Sequence, residues 1–193
     1  MVSLANWVTL SRIPLLFFIG GLLYGSFRWA PTVAFGLYVF AGVTDWLDGY
    51  LARKYNQISD LGKLMDALND KILNVGIFVV LISRNILPNW GVFCVLLVLC
   101  REFFITGLRI VLAKHGHILS AEKYGKLKTV LQIVVLGTFL LIEALRKDFP
   151  RLLPLGWIEG LVNICHVAFI LTTLLTAGSG FHYLFKYRHE IRD

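Results

Sequence analysis

Charge is scarce in this chain. Of its 193 residues only 16% are Asp, Glu, Lys or Arg, against about 25% in an ordinary soluble domain. Acidic residues are the scarcer sort, 12 against 19 basic ones. So little charge cannot clothe a water-soluble domain, and 57% hydrophobic residues with a mean hydropathy of +0.71 place the chain in a membrane. Cysteine is nearly absent as well. Cys94, Cys100 and Cys165 are odd in number, stand in apolar runs and form no C-x-x-C pair. That pattern argues against a disulfide framework or zinc site and leaves buried apolar thiols. The histidines 115, 117, 166, 182 and 189 show no metal-ligand spacing and read as interfacial or packing residues. No basic stretch precedes the first apolar run and no small-residue cleavage site follows it, so it reads as a retained helix rather than a secretion signal. Low-complexity tracts and strong repeats are also lacking.

What is present is apolar sequence in blocks. Six charge-free cores cover residues 13–27, 29–44, 72–83, 85–100, 129–142 and 160–185. A helix needs roughly 20 residues to cross a bilayer, and only the last core reaches that alone. The other five must run on into charged sequence. In an alternating six-helix topology those charged extensions all fall on one side. Most basic residues, Arg12, Arg53, Lys54, Lys71, Arg109 and Lys126 among them, lie there, whereas Arg28, Arg84, Arg146, Lys147 and Arg151 lie opposite. The positive-inside rule makes the first side cytoplasmic. The expectation is one all-α domain over 1–193. It is a polytopic membrane protein with six transmembrane helices around a polar cavity facing the cytoplasm, and both termini are cytoplasmic. Trp29, Trp90 and Trp157 fall near the opposite ends, as an aromatic belt would. The links are short, at 57–61, 116–122 and 147–156. The net charge of +7 suits anionic lipid or an anionic substrate, and nucleic acid is the weakest of the possible partners at this hydropathy.

The few acidic residues are concentrated, five of the 12 within residues 45–70. Asp45 and Asp48 are spaced i,i+3, and Asp66 and Asp70 i,i+4, so each pair shares one helix face. A short turn between the two helices makes them antiparallel neighbours and lets four carboxylates converge at one depth. Four such anions need cations. All-oxygen ligation suits Mg²⁺ or Mn²⁺, and two ions roughly 4 Å apart is the arrangement used for phosphoryl chemistry. The plainer alternative is a set of salt bridges to Arg53, Lys54, Lys63 and Lys71. Gly49 and Ala52 share the face of Asp45 and Asp48, and Gly62 stands one turn before Asp66. These small residues leave room for a flat group or let helices pack closely.

The pattern Asp45-x2-Asp48-Gly49-x2-Ala52-Arg53-x8-Gly62-x3-Asp66-x3-Asp70 resembles the CDP-alcohol phosphotransferase signature at every fixed position. The resemblance implies six transmembrane helices, usually in a homodimer. It implies Asp45, Asp48 and Asp66 as metal ligands and Asp70 as general base and possible further ligand. Gly49, Ala52 and Gly62 would face the cytidine, Asp48 and Arg53 would also lie at the CDP, and the leaving group would be CMP. Asn6-x2-Thr9-x2-Arg12, VTDWLDGYLARKYNQ in the second helix, REFFITGLR at 101–109 and YGKLKT at 124–129 are similar to one branch, the bacterial phosphatidylglycerophosphate synthases of the inner membrane. That similarity spans residues 6–132 and the last third matches in hydropathy alone. It implies CDP-diacylglycerol and sn-glycerol 3-phosphate as substrates in a membrane-lipid setting. Thr9, Arg12, Arg101, Arg109, Lys123, Lys126 and Lys128 are then the candidates for binding the acceptor's phosphate, against headgroup anchoring and an Arg101–Glu102 ion pair. Where members often carry Pro-x-Ala between the third and fourth aspartates, this chain has Ala67-Leu68-Asn69, which bears on the turn near Asp70. Phosphatidylglycerol or an inositol phosphate is the alternative acceptor within the family. A divalent-metal transporter is the alternative of another class; it predicts a midplane acidic site rather than carboxylates at helix ends.

Overall fold

A computed structural model describes the backbone of residues 4–54, 60–114 and 123–187, and the side chains of 11–45, 47, 68, 69, 71–112, 125 and 127–187. The described backbone forms six helices: α1 (Leu4–Tyr24), α2 (Ala30–Lys54), α3 (Asp60–Ser83), α4 (Gly91–Lys114), α5 (Lys123–Asp148) and α6 (Leu155–Lys186). They run alternately up and down. The starts of α1, α3 and α5 share an end with the finishes of α2, α4 and α6, and every polar contact between helices joins residues of like depth. The Tyr24 hydroxyl meets that of Ser83 at one end, and Arg12 meets Asp45 at the other.

α1 packs against α2 and α3, α5 against α2 and α6, and α4 against α3 and α6. Among the described residues α1 and α5 each pack on both α2 and α3; the stretch at 46–67 where the sequence brings α2 and α3 together lies largely outside the described side chains. The two helices are bridged by Tyr38, whose hydroxyl lies 3.2 Å from the Ile133 carbonyl oxygen of α5 and 3.4 Å from the Asn74 side-chain oxygen of α3. Close approach is built in where α1 meets α3. A Cβ on Gly76 would sit 2.7 Å from Leu16 Cδ1.

The apolar core, including Ile19, Leu23, Ile77, Leu81, Leu136, Phe139 and Phe169, fills the end away from the aspartates. Trp29, Trp90 and Trp157 stand at that same end, partly exposed. There α3 closes with the Asn85 N–H donating to the Ile82 carbonyl and the Ile86 N–H to that of Leu81, around Asn85 at φ 55°. That is a Schellman turn, and Asn is among the few residues that accept its left-handed corner. Trp29, a far less suitable residue, takes φ 72°. Asp148 at the end of α5 holds it there. Its carboxylate accepts the Trp29 N–H at 3.2 Å and the Thr32 N–H at 3.0 Å, capping the positive N-terminus of α2.

Large apolar side chains are also abundant outside: Phe17, Phe93, Phe104, Leu152, Trp157 and Phe181 are exposed. Among the described residues three helical stretches are long and apolar enough to cross a membrane, Gly91–Leu112, Leu127–Asp148 and Leu155–Lys186, and Ser11–Tyr24 and Lys71–Ser83 are shorter apolar helices. Two spans beyond the last core thus qualify, because a few charges can be carried inside a long helix. Cys165 is buried and Cys94 half-buried, but Cys100 is exposed on α4, contrary to the expectation of three buried thiols. An outward apolar face and an inward one look alike in sequence. His166 packs among Trp90, Phe139 and Phe169 as a packing residue should.

Candidate active site

The aspartate end of the bundle collects buried polar groups, as the core end does at Glu143, which pairs with Lys147. Arg12, Asn69, Lys128 and Gln132 are all buried at the aspartate end. Arg12 of α1 pairs with Asp45 of α2. It was expected at the acceptor's phosphate, yet its guanidinium stands on the first carboxylate of the signature. The side chains of Asp48, Asp66 and Asp70, of Gly49, Ala52, Arg53 and Gly62, and of Thr9, Lys123 and Lys126 lie outside the described residues. Their backbones fall in the last three turns of α2, the first three of α3, and the starts of α1 and α5. Among the described residues no group of three or more His, Cys, Asp and Glu stands ready for a metal. Asp45, the one of the four whose side chain is described, is a carboxylate, a hard oxygen donor of the kind a divalent cation such as Mg²⁺ takes, and it is paired with Arg12.

A second cluster lies across α3, α4 and α5. Glu102 of α4 takes Lys128 of α5 on Oε1, with Arg101 NH1 at 3.5 Å from the same oxygen and Lys71 Nζ of α3 at 3.7 Å from Oε2. Lys71 also donates to the Glu102 backbone carbonyl at 3.2 Å and to the Thr106 hydroxyl. Arg101 and Lys128, two of the candidates for the acceptor's phosphate, thus meet at Glu102, and Lys71 joins them without having been counted as a site residue. Lys71 stands one position after Asp70 on α3, on a different face of that helix.

α6 supplies the third wall. Arg101 NH2 donates to Ser179 Oγ at 3.0 Å, and the arginine stem lies so close to Gly180 that a Cβ there would sit 2.8 Å from its Cγ. Two turns further along α4, Arg109 Nε donates to the Tyr183 hydroxyl at 3.4 Å, with the guanidinium carbon 5.3 Å from the ring centre. Below this wall Gln132 of α5 donates to the buried Thr176 hydroxyl at 3.1 Å. A cavity of about 290 Å³ opens between α5 and α6, lined by Leu127, Lys128, Leu175, Gly178, Ser179 and His182. Lys128 is thus the member of the cation cluster that lines this largely apolar space.

The model of the CDP-alcohol phosphatidyltransferase family matches residues 2–177. The chain belongs to that family. It is 35% identical over 153 residues to the CDP-diacylglycerol–glycerol-3-phosphate 3-phosphatidyltransferase of Bacillus subtilis (strain 168), covering 73% of this chain and 78% of that one. It is 30% identical over 192 residues to the protein of the same name from Sodalis glossinidius (strain morsitans), covering 98% and 97%. A third of that name, from Rickettsia typhi (strain ATCC VR-144 / Wilmington), is 36% identical over 141 residues, covering 73% of this chain and 78% of that one. Family similarity therefore runs well past residue 132, where the local motifs ended. Membership makes the chain a phosphatidyltransferase and, with its three long apolar helices, an integral membrane protein.

Proposed function

We propose that this phosphatidyltransferase moves the phosphatidyl group of CDP-diacylglycerol to sn-glycerol 3-phosphate, giving phosphatidylglycerol phosphate and CMP. The observation that favours an acceptor bearing a phosphate is the convergence of Lys71, Arg101 and Lys128 at the aspartate end, around the Glu102 carboxylate. Cations gathered in a poorly hydrated place suit a phosphate monoester, at about −1.5 to −2 charge near pH 7, better than a neutral alcohol. The names of the relatives, one of them matched nearly end to end, favour sn-glycerol 3-phosphate over inositol phosphate.

In this reading the acceptor's phosphate is held by Arg101 and Lys128, with Lys71 beside them and Arg109, Lys123 and Lys126 nearer the bundle end. The acceptor hydroxyl attacks the lipid-bearing phosphorus, the bond from that phosphorus to the oxygen of CMP breaks, and Asp70 takes the hydroxyl proton. Gly49, Ala52 and Gly62 make room for the cytidine, and Asp48 and Arg53 steady the nucleotide end. Asp45, Asp48, Asp66 and Asp70 would hold two Mg²⁺ or Mn²⁺ ions, which when bound supply neutralising charge to the diphosphate and the departing CMP. Arg12, paired with Asp45, fixes that carboxylate's position. Positioning and electrostatics account for most of such a barrier.

The chain is further proposed to be one domain over 1–193 with six transmembrane helices in the bacterial inner membrane. Both termini and the polar cavity face the cytoplasm, and two copies form a homodimer. The alternating ends of the helices and the shared end of the three tryptophans support this placement. The test of function is CMP release by purified protein given CDP-diacylglycerol, Mg²⁺ or Mn²⁺, and a panel of acceptors. Release with sn-glycerol 3-phosphate, abolished by EDTA, is the expected result. Release with phosphatidylglycerol or inositol phosphate instead overturns the acceptor assignment.

A further inference from the structure

The cation cluster has a feature that substrate binding alone does not explain, namely the acid at its centre. Glu102 is largely buried, with a side chain 14% exposed, and so are Lys71, Arg101 and Lys128 at 16%, 12% and 4%. Three cations so placed repel one another and are drawn toward water unless an anion holds them. A carboxylate present only to stabilise the fold requires one partner; the second and third add desolvation and repulsion. Glu102 also engages Lys71 through its backbone carbonyl, which accepts the Thr106 hydroxyl as well at 2.7 Å. We propose that Glu102 is a positioning residue: its carboxylate draws Lys71, Arg101 and Lys128 from three helices into one cluster set for the acceptor's phosphate. The proposal rests on the acceptor reading given above and adds to it a group that touches no substrate.

The test compares the whole wild-type protein with Glu102→Gln, which keeps the shape and removes the charge, and Glu102→Asp, which keeps the charge and withdraws it by one methylene. In Glu102→Gln the KM for sn-glycerol 3-phosphate rises about tenfold or more while that for CDP-diacylglycerol stays within about twofold, and Glu102→Asp falls between. A purely structural role lowers the melting temperature and leaves the acceptor KM alone. An acceptor KM within about twofold of wild type in both variants overturns the proposal. If Glu102→Gln does not purify folded, Glu102→Asp decides by the same criterion. If the wild type releases no CMP with sn-glycerol 3-phosphate, the acceptor reading falls by itself. Protection of the folded protein by inorganic phosphate then decides the role of Glu102. Protection of wild type that weakens in Glu102→Asp supports it, and equal protection, or none in either, refutes it.

Discussion

Gly180→Ala separates positioning of Arg101 from stability of the bundle. The new Cβ would lie 2.8 Å from Arg101 Cγ and 3.3 Å from its Nε. Carbon atoms rest at about 3.5–4.0 Å, so the arginine stem must retreat by roughly 0.7 Å or more. An exposed arginine would simply swing away. Arg101 is held at both sides, by Glu102 at 3.5 Å and Ser179 at 3.0 Å, and the retreat stretches the second bond beyond useful length. A hydrogen bond to a charged group is worth about 1.5–3 kcal/mol, or roughly 10- to 100-fold if expressed in acceptor binding. Meanwhile Ala is a better helix residue than Gly by about 0.8–1 kcal/mol, which offsets the cost of crowding. The melting temperature in detergent should therefore move little while the acceptor KM rises at least about tenfold. Gly160, on the same helix but away from the cavity, provides the control, since a Cβ there meets nothing within 4 Å. Gly160→Ala should leave the acceptor KM within about twofold. Equal acceptor KM values for the two variants would refute the seat assigned to Arg101.

Three further outcomes follow from particular contacts. Asp148→Ala removes the cap on α2 and its hold on Trp29, and should cost about 1–2 kcal/mol of stability, read as a lower melting temperature with the acceptor KM unchanged, because Asp148 lies at the opposite end of the bundle. Gly76→Ala crowds Leu16 where α1 crosses α3, and should destabilise by about 1–3 kcal/mol, again without selective effect on either substrate. Asp70→Asn should retain divalent-cation binding, measured by thermal shift with Mn²⁺, while turnover disappears; full activity refutes its role as base.

Most of the scaffold is legible because charge punctuates it. α2 and α3 run on from their apolar runs into the charged stretches, to Lys54 and back to Asp60, and the side on which each run is extended gives the end it shares with its neighbours. The Arg12–Asp45 and Lys128–Glu102 pairs, which the sequence reading did not anticipate, lie at that charged end. What cannot be read is which face of an apolar helix meets protein and which faces outward. Phe139 and Phe93 are the same residue in comparable runs, yet one is 1% exposed and the other 76%. Hydropathy does not distinguish a neighbouring helix from lipid, and Cys100 is misplaced for the same reason.

The functional wall of α6 is hidden in the same way. Ser179, Gly180 and Tyr183 sit in the longest charge-free run, where small and hydroxyl residues look like ordinary packing. Only the close approach of α4 turns them into the seats of Arg101 and Arg109. Glu102 shows the complementary difficulty. Read along the chain, its obvious partner is Arg101 beside it, and that contact is made at 3.5 Å. The bundle adds Lys71 and Lys128 to Glu102 from two other helices, and so gathers into one place cations that the sequence scatters over residues 71–128. In the proposed reading an anionic acceptor is recognised by a property no single segment carries, cations from three helices assembled around one acid. That is why a substitution at Glu102 should act on acceptor binding as a whole rather than on any one contact.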